Sequence, residues 1–427
     1  MKVSFYSLGC KVNLYESEVI INMFKKRGYE IVNYEDKSDI IVINTCTVTN
    51  TSDKKSRNII RKSIKNNPNS IIVVMGCYSQ VRSDEILSIP GVNILIGNTN
   101  KSKVVDLVEE YIKTKKDIIK IDNITNISFE PMELDKFETR TRAFVKIQDG
   151  CNNYCSYCII PYARGNIRSK SKEEVIKEVN NLVNNGYKEV VLTGIHTGHY
   201  GKDKYEYNFS DLLNELSKID NLLRIRISSI EITELDNKFI TTLKNNKKIV
   251  DHIHIPLQSG CDKTLKEMNR KYDTKYFLNK INEIRNIRKD ISITTDLIVG
   301  FPNETDEDFK KTCEFVKKVN FSKIHVFPYS RRKGTKADLM DNQVPEEIKK
   351  LRVKTMLEIS HELEISYMKK FLNKEVEVLV EKYENGYIMG HTSNYIEVKK
   401  RGKCSDVTNI IKTKLDKIDY PIMTSNV

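Results

Sequence analysis

Short apolar runs alternate with amphipathic stretches along the first 120 residues of the chain. The near-continuous apolar runs are typical of strands buried on both faces of a sheet, and stretches such as Tyr15–Arg27 and Asp53–Asn66 have helical spacing. The predicted strands are Lys2–Tyr6, Asp39–Asn44, Ile71–Met75 and Asn93–Ile96. Strands separated by helices pair in parallel, so residues 1–120 are predicted to form a doubly wound parallel sheet in an α/β protein.

A polar stretch at residues 121–142 is predicted to be a linker, after which strand and helix patterns alternate again. Six more strands are predicted at Ala143–Gln148, Glu189–Thr193, Leu223–Ser228, His252–Leu257, Ile291–Val299 and Lys323–Phe327. Six strand–helix units are fewer than the eight of a closed barrel. Residues 143–368, which end in the charged helix Pro345–Met368, are therefore predicted to form an open partial (β/α)6 barrel.

The pattern changes to alternating polar and apolar residues after residue 368, for example at Glu375–Glu381 and Tyr395–Lys399. Residues 369–427 are predicted to form a small antiparallel, five-stranded β-barrel of a type that often binds nucleic acid. The basic run Lys399–Arg401 is expected on a turn, where it is equally consistent with phosphate contacts and with simple solvation.

The chain has 427 residues and a formal net charge of +13, from 71 basic against 58 acidic side chains. This excess favours a polyanionic partner such as RNA, although a general enrichment in Ile, Asn and Lys explains it equally well. No apolar run reaches the roughly 20 residues that span a bilayer, and Met1–Tyr6 lacks the apolar core of a secretory signal. A cytoplasmic protein without a membrane partner is therefore expected.

The nine cysteines favour metal ligation or redox chemistry over disulfides, because cytoplasmic thiols stay reduced. Cys10, Cys46 and Cys77 each follow one of the predicted N-terminal strands closely. Ligands bind beyond the carboxyl ends of parallel strands, so these three cysteines are predicted to meet at one edge of the sheet. The alternative is that they are small buried apolar side chains, which their three equivalent positions make the weaker interpretation.

The strongest signal is the run Cys151-x3-Cys155-x2-Cys158, which directly follows a predicted strand. Structural zinc takes four protein ligands, usually as two separated pairs, and no fourth Cys or His follows nearby. A [4Fe-4S] cluster held by three thiolates leaves one iron open for an exogenous ligand. The spacing therefore favours a [4Fe-4S] cluster with an open iron.

At these three cysteines the sequence resembles the radical S-adenosylmethionine (SAM) superfamily, in which SAM chelates the open iron. With the upstream cysteines and the terminal β-barrel, the whole chain resembles the methylthiotransferase family. The resemblance implies two [4Fe-4S] clusters, one on Cys151, Cys155 and Cys158 and a second, carrying the sulfur to be inserted, on Cys10, Cys46 and Cys77. It also implies an N-terminal methylthiotransferase domain at 1–120, a radical SAM domain at 143–368 and a TRAM-like RNA-binding β-barrel at 369–427.

Local sequence around the cysteines distinguishes the branches of this family. Three segments are similar to the bacterial-type threonylcarbamoyladenosine tRNA methylthiotransferases: Leu8–Glu18, Asn44–Thr49 and the pair Arg164-Gly165. The first of these segments contains Cys10-Lys11-Val12-Asn13. The isopentenyladenosine branch tends to have Gln-Met-Asn after its first cysteine, and the ribosomal-protein branch Pro-Lys-Asn.

The resemblance implies conversion of N6-threonylcarbamoyladenosine to its 2-methylthio derivative at position 37 of tRNA, 3′ of the anticodon. One SAM is cleaved to a radical that reacts at C2 of the adenine, and a second SAM supplies the methyl group. The implied partners are the anticodon stem-loop of tRNA, an external electron donor and an unidentified sulfur donor. Two alternatives keep the chemistry but act on isopentenyladenosine or a ribosomal-protein aspartate, and a third is a non-catalytic, metal-stabilised RNA-binding protein.

Residues in the cysteine loop and at the ends of the barrel strands are expected to contact SAM, because parallel barrels place their sites there. They are Tyr157, Gly194, Ser228, Ser229, Glu231, Gln258, Asp296 and Gly300. Further side chains without an assigned role are His196 and His199 near the site, His252 and His254, expected on opposite sides of one strand, and Cys261, Cys313 and Cys404, expected to be inert.

Overall fold

The structure is a computed structural model that describes residues 1–134, 136–137 and 141–425. Its N-terminal strands are β1 (Lys2–Ser7), β2 (Glu30–Val32), β3 (Ile40–Thr45), β4 (Ile71–Gly76), β5 (Ile94–Ile96) and β6 (Ile118–Lys120). The helices are α1 (Lys11–Lys26), α2 (Asn50–Asn66), α3 (Cys77–Val81), α4 (Ser83–Leu87) and α5 (Val104–Thr114). The strands form one parallel sheet in the order β2-β1-β3-β4-β5-β6, which confirms the predicted doubly wound architecture.

The central strands of this sheet are buried on both faces, as their apolar runs predict. In β3, Ile40 and Val42 point into the main core of the molecule, and Ile41 and Ile43 pack under α2 on the other face. The same main core continues into the next part of the chain, so the two parts share one apolar interior.

The central part of the chain has six parallel strands that match the predicted ones closely. They are β7 (Ala143–Lys146), β10 (Glu189–Thr193), β11 (Arg224–Ile227), β12 (His252–His254), β13 (Ser292–Val299) and β14 (Lys323–Pro328), with a short ribbon of β8 (Gln148–Asp149) and β9 (Arg168–Ser169). They pair as two three-stranded sheets, β11-β10-β7 and β12-β13-β14, joined through an Ile225–Ile249 bridge. The six strands are thus present, as two sheets rather than one continuous sheet.

Helices cover the outside of these sheets. They are α6 (Ile160–Arg164), α7 (Lys172–Asn184), α8 (Phe209–Ser217), α9 (Asn237–Asn245), α10 (Asp262–Glu267), α11 (Thr274–Ile287), α12 (Asp306–Val319) and α13 (Glu346–Lys369). Helix α7 begins with a capping box between Ser171 and Glu174, which satisfies backbone N–H groups at the helix start. Within the described ranges, no helix combines the length and apolar character needed to cross a membrane.

The C-terminal sheet differs from the prediction in strand number and direction. Its strands are β15 (Glu375–Glu384), β16 (Tyr387–Thr392), β17 (Glu397–Arg401), β18 (Ile410–Lys414), β19 (Lys417–Asp419) and β20 (Ile422–Ser425). The order is β18-β15-β16-β17-β20-β19, and β17 pairs with β20 in parallel, so the sheet is six-stranded and mixed. The basic run Lys399–Arg401 lies on β17, not on a turn, because it pairs with β16 and β20.

The predicted linker packs against the rest of the molecule where it is described. Met132, Leu134 and Phe137 are buried in the main core, and the Tyr15 hydroxyl donates to the Met132 carbonyl at 2.7 Å. Residues 135 and 138–140 of this stretch, and residues 426–427 of the predicted terminal barrel, lie outside the described residues.

Candidate functional site

The three N-terminal cysteines meet at the carboxyl edge of the first sheet. Cys10 is the N-cap residue of α1, Cys46 follows β3, and Cys77 begins α3. Gly9 has a φ of +107°, and a Cβ there would lie 3.1 Å from the Cys46 sulfur. Burial and the neighbouring Cys77 thiol raise the pKa of Cys46 to about 11. The parallel sheet thus brings together the cysteines that the sequence placed at equivalent strand ends.

The second cysteine triplet lies on the loop after β8. The Cys151 N–H donates to the Gly165 carbonyl at 3.0 Å, which holds the start of the loop against the end of α6. Gly150 has a φ of +72°, and a Cβ there would lie 1.9 Å from the Asn166 carbonyl oxygen, so only glycine fits. Burial and the neighbouring Cys155 thiol raise the pKa of Cys158 to about 12.

One compact group of side chains that could ligate a metal ion lies outside both cysteine triplets. Among the described residues, the one group of three Cys, His or acidic side chains with all ligand atoms within 4.8 Å is His196, His199 and Glu234. Thiolates on one zinc ion lie about 4 Å apart, since each Zn–S bond is about 2.3 Å. In a [4Fe-4S] cluster each cysteine binds a different iron, so wider separations are required. Neither cysteine triplet forms such a compact group among the described residues.

A buried arginine donates a hydrogen bond to one sulfur of each triplet. Arg164 Nε lies 3.2 Å from Cys77 Sγ, and Arg270 Nη1 lies 3.2 Å from Cys155 Sγ. A guanidinium stabilises the thiolate, which is the form that binds metal. Sequence reasoning did not identify either arginine as a site residue. Arg164 is six positions after Cys158, but Arg270 is distant along the chain and has no local signal.

Arg164 also belongs to a buried cluster of charges between the two triplets. It lies 3.1 Å from both Glu16 and Asp149, and Lys146 lies 2.7 Å from each of these carboxylates. Lys101 and Arg168 complete the cluster, which we call the buried ion network. Although burial alone would raise the pKa of Asp149, its cationic neighbours hold it well below the usual range. Four cations against two carboxylates leave positive charge beside the cysteine sulfurs.

The structure places Tyr157 and Glu231, both predicted to contact SAM, beside the second triplet. The Glu231 carboxylate accepts a hydrogen bond from Arg270 Nη2 at 2.5 Å and one from Asn153 Nδ2 at 3.2 Å. Burial raises the pKa of Tyr157, which neighbours Arg270 and two of the cysteines. Glu231 is therefore tied to the cysteine loop through Arg270.

The other predicted contacts are spread along the strand ends. Ser228 lines a cavity described below, and Asp296 Oδ2 lies 3.3 Å from His254 Nε2. Gln258 donates its backbone N–H to the Asp296 carbonyl, and the Ser229 carbonyl accepts from the Thr197 hydroxyl. The two predicted contact glycines pack closely against other side chains. A Cβ added at Gly194 would lie 2.9 Å from Gln148 Oε1, and one added at Gly300 would lie 2.4 Å from Lys349 Cγ.

A cavity of about 470 Å³ opens between the barrel strands and the C-terminal sheet. Lys11 lines it from the start of α1, Ser228, His254 and Thr294 from the barrel, and Tyr395 from the turn between β16 and β17. Lys11 directly follows Cys10, and Ser228 is a predicted SAM contact. The cavity, which we call the three-part cavity, therefore borders the residue after Cys10 and one of the predicted SAM contacts. Sequence reasoning missed it because its walls come from distant parts of the chain.

Stacked rings and cations form one wall of the three-part cavity. The Tyr395 ring stacks with His252 at 5.0 Å and with His391 at 4.6 Å between centroids. Arg226 lies 4.7 Å from the centre of the same ring. Burial, with Arg226 nearby, holds the pKa of His252 well below its usual range, so this imidazole is neutral.

The predicted placement of His252 and His254 on opposite sides of their strand is wrong. Both line the three-part cavity, and both rings lie within hydrogen-bond distance of Thr294 Oγ1, at 3.1 and 2.9 Å. Residues two apart on a strand share a face, because the side-chain period of a strand is two.

Comparisons with known families agree with this architecture. Residues 145–316 match the radical SAM superfamily, and residues 2–97 match a family described as Uncharacterized protein family UPF0004. The radical SAM methyltransferase TsrM from Kitasatospora setae shares the fold, with a TM-score of 0.57 at 15% identity over 79% of this chain and 76% of that chain.

Relatives match almost the whole chain. The threonylcarbamoyladenosine tRNA methylthiotransferase MtaB of Bacillus subtilis is 45% identical over 98% of this chain and 94% of its own. The MtaB of Aquifex aeolicus is 40% identical over 94% and 97%. The tRNA-2-methylthio-N(6)-dimethylallyladenosine synthase of Clostridium perfringens is 34% identical over 95% and 93%. This chain therefore belongs to the radical SAM methylthiotransferase family, in the branch of the threonylcarbamoyladenosine tRNA methylthiotransferases.

Proposed function

We propose that this protein converts N6-threonylcarbamoyladenosine at position 37 of tRNA to its 2-methylthio derivative. The observation that carries the proposal is the three-part cavity, which is lined by the residue after Cys10, by one predicted SAM contact and by residues of the C-terminal part. A substrate base in this cavity reaches Lys11, next to Cys10, and Ser228, at a barrel strand end. The 45% identical relative named for this activity supports the same substrate.

Radical SAM family membership implies a [4Fe-4S] cluster and SAM. In this proposal Cys151, Cys155 and Cys158 hold that cluster, and Cys10, Cys46 and Cys77 hold a second one. When bound, the clusters supply an electron, received from an external donor, for cleavage of SAM and the sulfur for insertion. The contacts assigned to SAM are Tyr157, Gly194, Ser228, Ser229, Glu231, Gln258, Asp296 and Gly300.

The chain itself contributes charge, orientation and shelter from water. Arg164 and Arg270 stabilise the thiolates, and the Glu231 carboxylate fixes the Arg270 side chain. Tyr395, His252 and His391 form an aromatic wall against which a base turned out of the anticodon loop packs. Walls from three parts of the chain enclose the reacting groups, so a radical formed there is kept from solvent.

The proposed domains follow the predicted division, with the N-terminal sheet at 1–120, the radical SAM part at 143–368 and the RNA-binding sheet at 369–427. The C-terminal sheet supplies Tyr395 and His391 to the cavity, which links RNA binding to the reaction site. With a net charge of +13, the protein is expected to grip the anticodon stem through phosphates, with an affinity that falls as salt rises.

Nucleoside mass spectrometry tests the proposal on tRNA from a bacterial host that lacks its own methylthiotransferases. We expect the methylthio derivative of threonylcarbamoyladenosine when the gene is present. Methylthio-isopentenyladenosine alone would instead assign the neighbouring branch. If neither product forms although the protein is brown and folded, a tRNA substrate is contradicted and a ribosomal-protein substrate is favoured.

Matched cysteine variants test the cluster assignment. The wild-type protein should hold about eight irons per chain, because two four-iron clusters are proposed. Replacing Cys151, Cys155 and Cys158 with Ala should leave about four irons and abolish formation of deoxyadenosine from SAM. Cys404→Ala, which removes an exposed thiol outside both triplets, is the control and should keep both properties. Deoxyadenosine formation by the triple variant, or zinc in place of iron, would overturn the assignment.

A further inference from the structure

Lys11 is a lysine that lines the three-part cavity and has no direct ion pair with the described residues. It is the first residue of α1, and the turn after β1 directs its half-buried side chain toward the barrel. Among the described residues, none forms an ion pair or side-chain hydrogen bond with its ammonium group. A charged group that has lost part of its hydration without gaining a partner favours binding of an anion.

The other cations of the cavity already have carboxylate partners. Arg226 Nε lies 2.6 Å from Glu189, and Lys323 Nζ lies 2.7 Å from Glu364. The carboxylate of Asp296, which attracts Lys11 from a distance, is engaged by His254. Among the lining residues that the structure describes, Lys11 is therefore the cation without a carboxylate partner, available to a ligand.

The proposed substrate carries one negatively charged group that could pair with the Lys11 ammonium group. Threonylcarbamoyladenosine ends in a free carboxylate, whereas the isopentenyl group is uncharged and apolar. The cavity volume of about 470 Å³ is in the range of small-molecule sites. Its lining includes the polar side chains of His252, His254, Thr294 and Asn394, which suit the threonyl hydroxyl and carbamoyl groups.

We propose that Lys11 binds the carboxylate of the threonylcarbamoyl group and so selects this nucleoside over neutral ones. This inference rests on the proposed function, because it assigns a recognition role within the same site. A charge-assisted hydrogen bond contributes more than a neutral one. A site built around such a partner discriminates strongly against an analogue that lacks it.

Equilibrium binding of synthetic anticodon stem-loops to the cluster-loaded protein tests this role. Three stem-loops carry threonylcarbamoyladenosine, its neutral methyl ester or isopentenyladenosine at position 37, and fluorescence anisotropy measures each affinity. The phosphate contacts are common to all three, so the acid-to-ester ratio isolates recognition of the carboxylate. The wild-type protein should bind the acid about 10- to 100-fold more tightly than the ester.

Lys11→Met, which removes the charge and keeps the length, should bring this ratio close to one. Lys113→Met is the matched control: it changes the net charge equally, but Lys113 is exposed on α5 and does not line the cavity. The control should keep the wild-type ratio. Iron content and absorption spectra of all variants show whether the clusters are intact.

The outcomes separate this inference from the proposed function. If the wild-type protein methylthiolates threonylcarbamoyladenosine but binds acid and ester equally, Lys11 has no such role and the function stands. An unchanged ratio in Lys11→Met, with an altered cluster spectrum, would mean that Lys11 acts on the cluster at Cys10 instead. If the wild-type protein does not act on threonylcarbamoyladenosine at all, the proposed function fails and the inference with it.

Discussion

Arg270 connects two groups that the chain brings from distant positions. Its guanidinium donates to the Cys155 sulfur and to the Glu231 carboxylate, and its side chain is 4% exposed. Removing it leaves a buried carboxylate without its cation and a sulfur without its donor. Positive charge at a sulfur favours the more anionic, reduced state of a cluster.

We expect Arg270→Met to lower the midpoint potential of the cluster proposed at Cys151, Cys155 and Cys158, by on the order of 50 mV. Redox titration followed by electron paramagnetic resonance measures this shift. Arg285→Met is the control, because Arg285 is half-buried on α11 and donates to the Val319 and Asn320 carbonyls instead. Equal potentials in the two variants would show that Arg270 only supports the fold.

The cysteines could be predicted from the sequence because their signal is local. Cys151, Cys155 and Cys158 lie within eight consecutive positions, and each upstream cysteine follows an apolar run. The partners of these cysteines could not be predicted, because Arg270 reaches Cys155 only after the barrel has folded. Lys11 was visible as part of a motif, but only the structure shows the cavity that it lines.

At the level of elements, prediction worked best for central strands. The observed bounds of β10, Glu189–Thr193, are those predicted, because its central residues Val190–Leu192 form an apolar run that is buried on both faces. The edge strands β2 and β6 were missed, since three residues are too few to show a period. The parallel pairing of β17 with β20 joins segments that are separated along the chain by two short strands. Local sequence patterns therefore do not predict this pairing.

The loop that carries the second cysteine triplet depends on one backbone position. Gly150 combines a positive φ with a Cβ position only 1.9 Å from the Asn166 carbonyl oxygen. Gly186, at the end of α7, also has a positive φ, but its Cβ position has nothing within 4 Å. Adding a Cβ at Gly150 therefore causes both a steric clash and backbone strain, whereas adding one at Gly186 causes backbone strain alone.

Gly150→Ala should displace the cysteine loop and reduce the iron content toward that of a single cluster. Gly186→Ala should cost only the strain of the left-handed conformation, about 1 kcal/mol, and keep full iron content. Iron analysis and thermal unfolding of both variants check this expectation. Full iron content in Gly150→Ala would show that the loop tolerates a Cβ at this position.

Across the whole molecule, the buried ion network joins the first sheet to the radical SAM part. Glu16 on α1 pairs with Lys101 at 2.5 Å within the N-terminal part, and with Lys146 and Arg164 from the barrel at 2.7 and 3.1 Å. All four side chains are at most 5% exposed. Breaking such a network leaves charges without compensation in the interior.

Glu16→Gln should destabilise the protein by about 3 kcal/mol or more, because three buried cations lose a shared partner. Glu215→Gln, which breaks an exposed pair with Lys218, should change stability by about 0–1 kcal/mol. Urea unfolding of both variants measures the free energies. Similar values for the two would mean that the network adds nothing beyond a surface pair.

The three-part cavity has a consequence for protein synthesis. Its walls run from Lys11 on α1 to Tyr395, which lies between β16 and β17. A chain translated only as far as β14 already contains both cysteine triplets, yet it lacks the cavity residues His391 and Tyr395. A complete cavity therefore requires that the C-terminal sheet has been translated and has packed against the barrel.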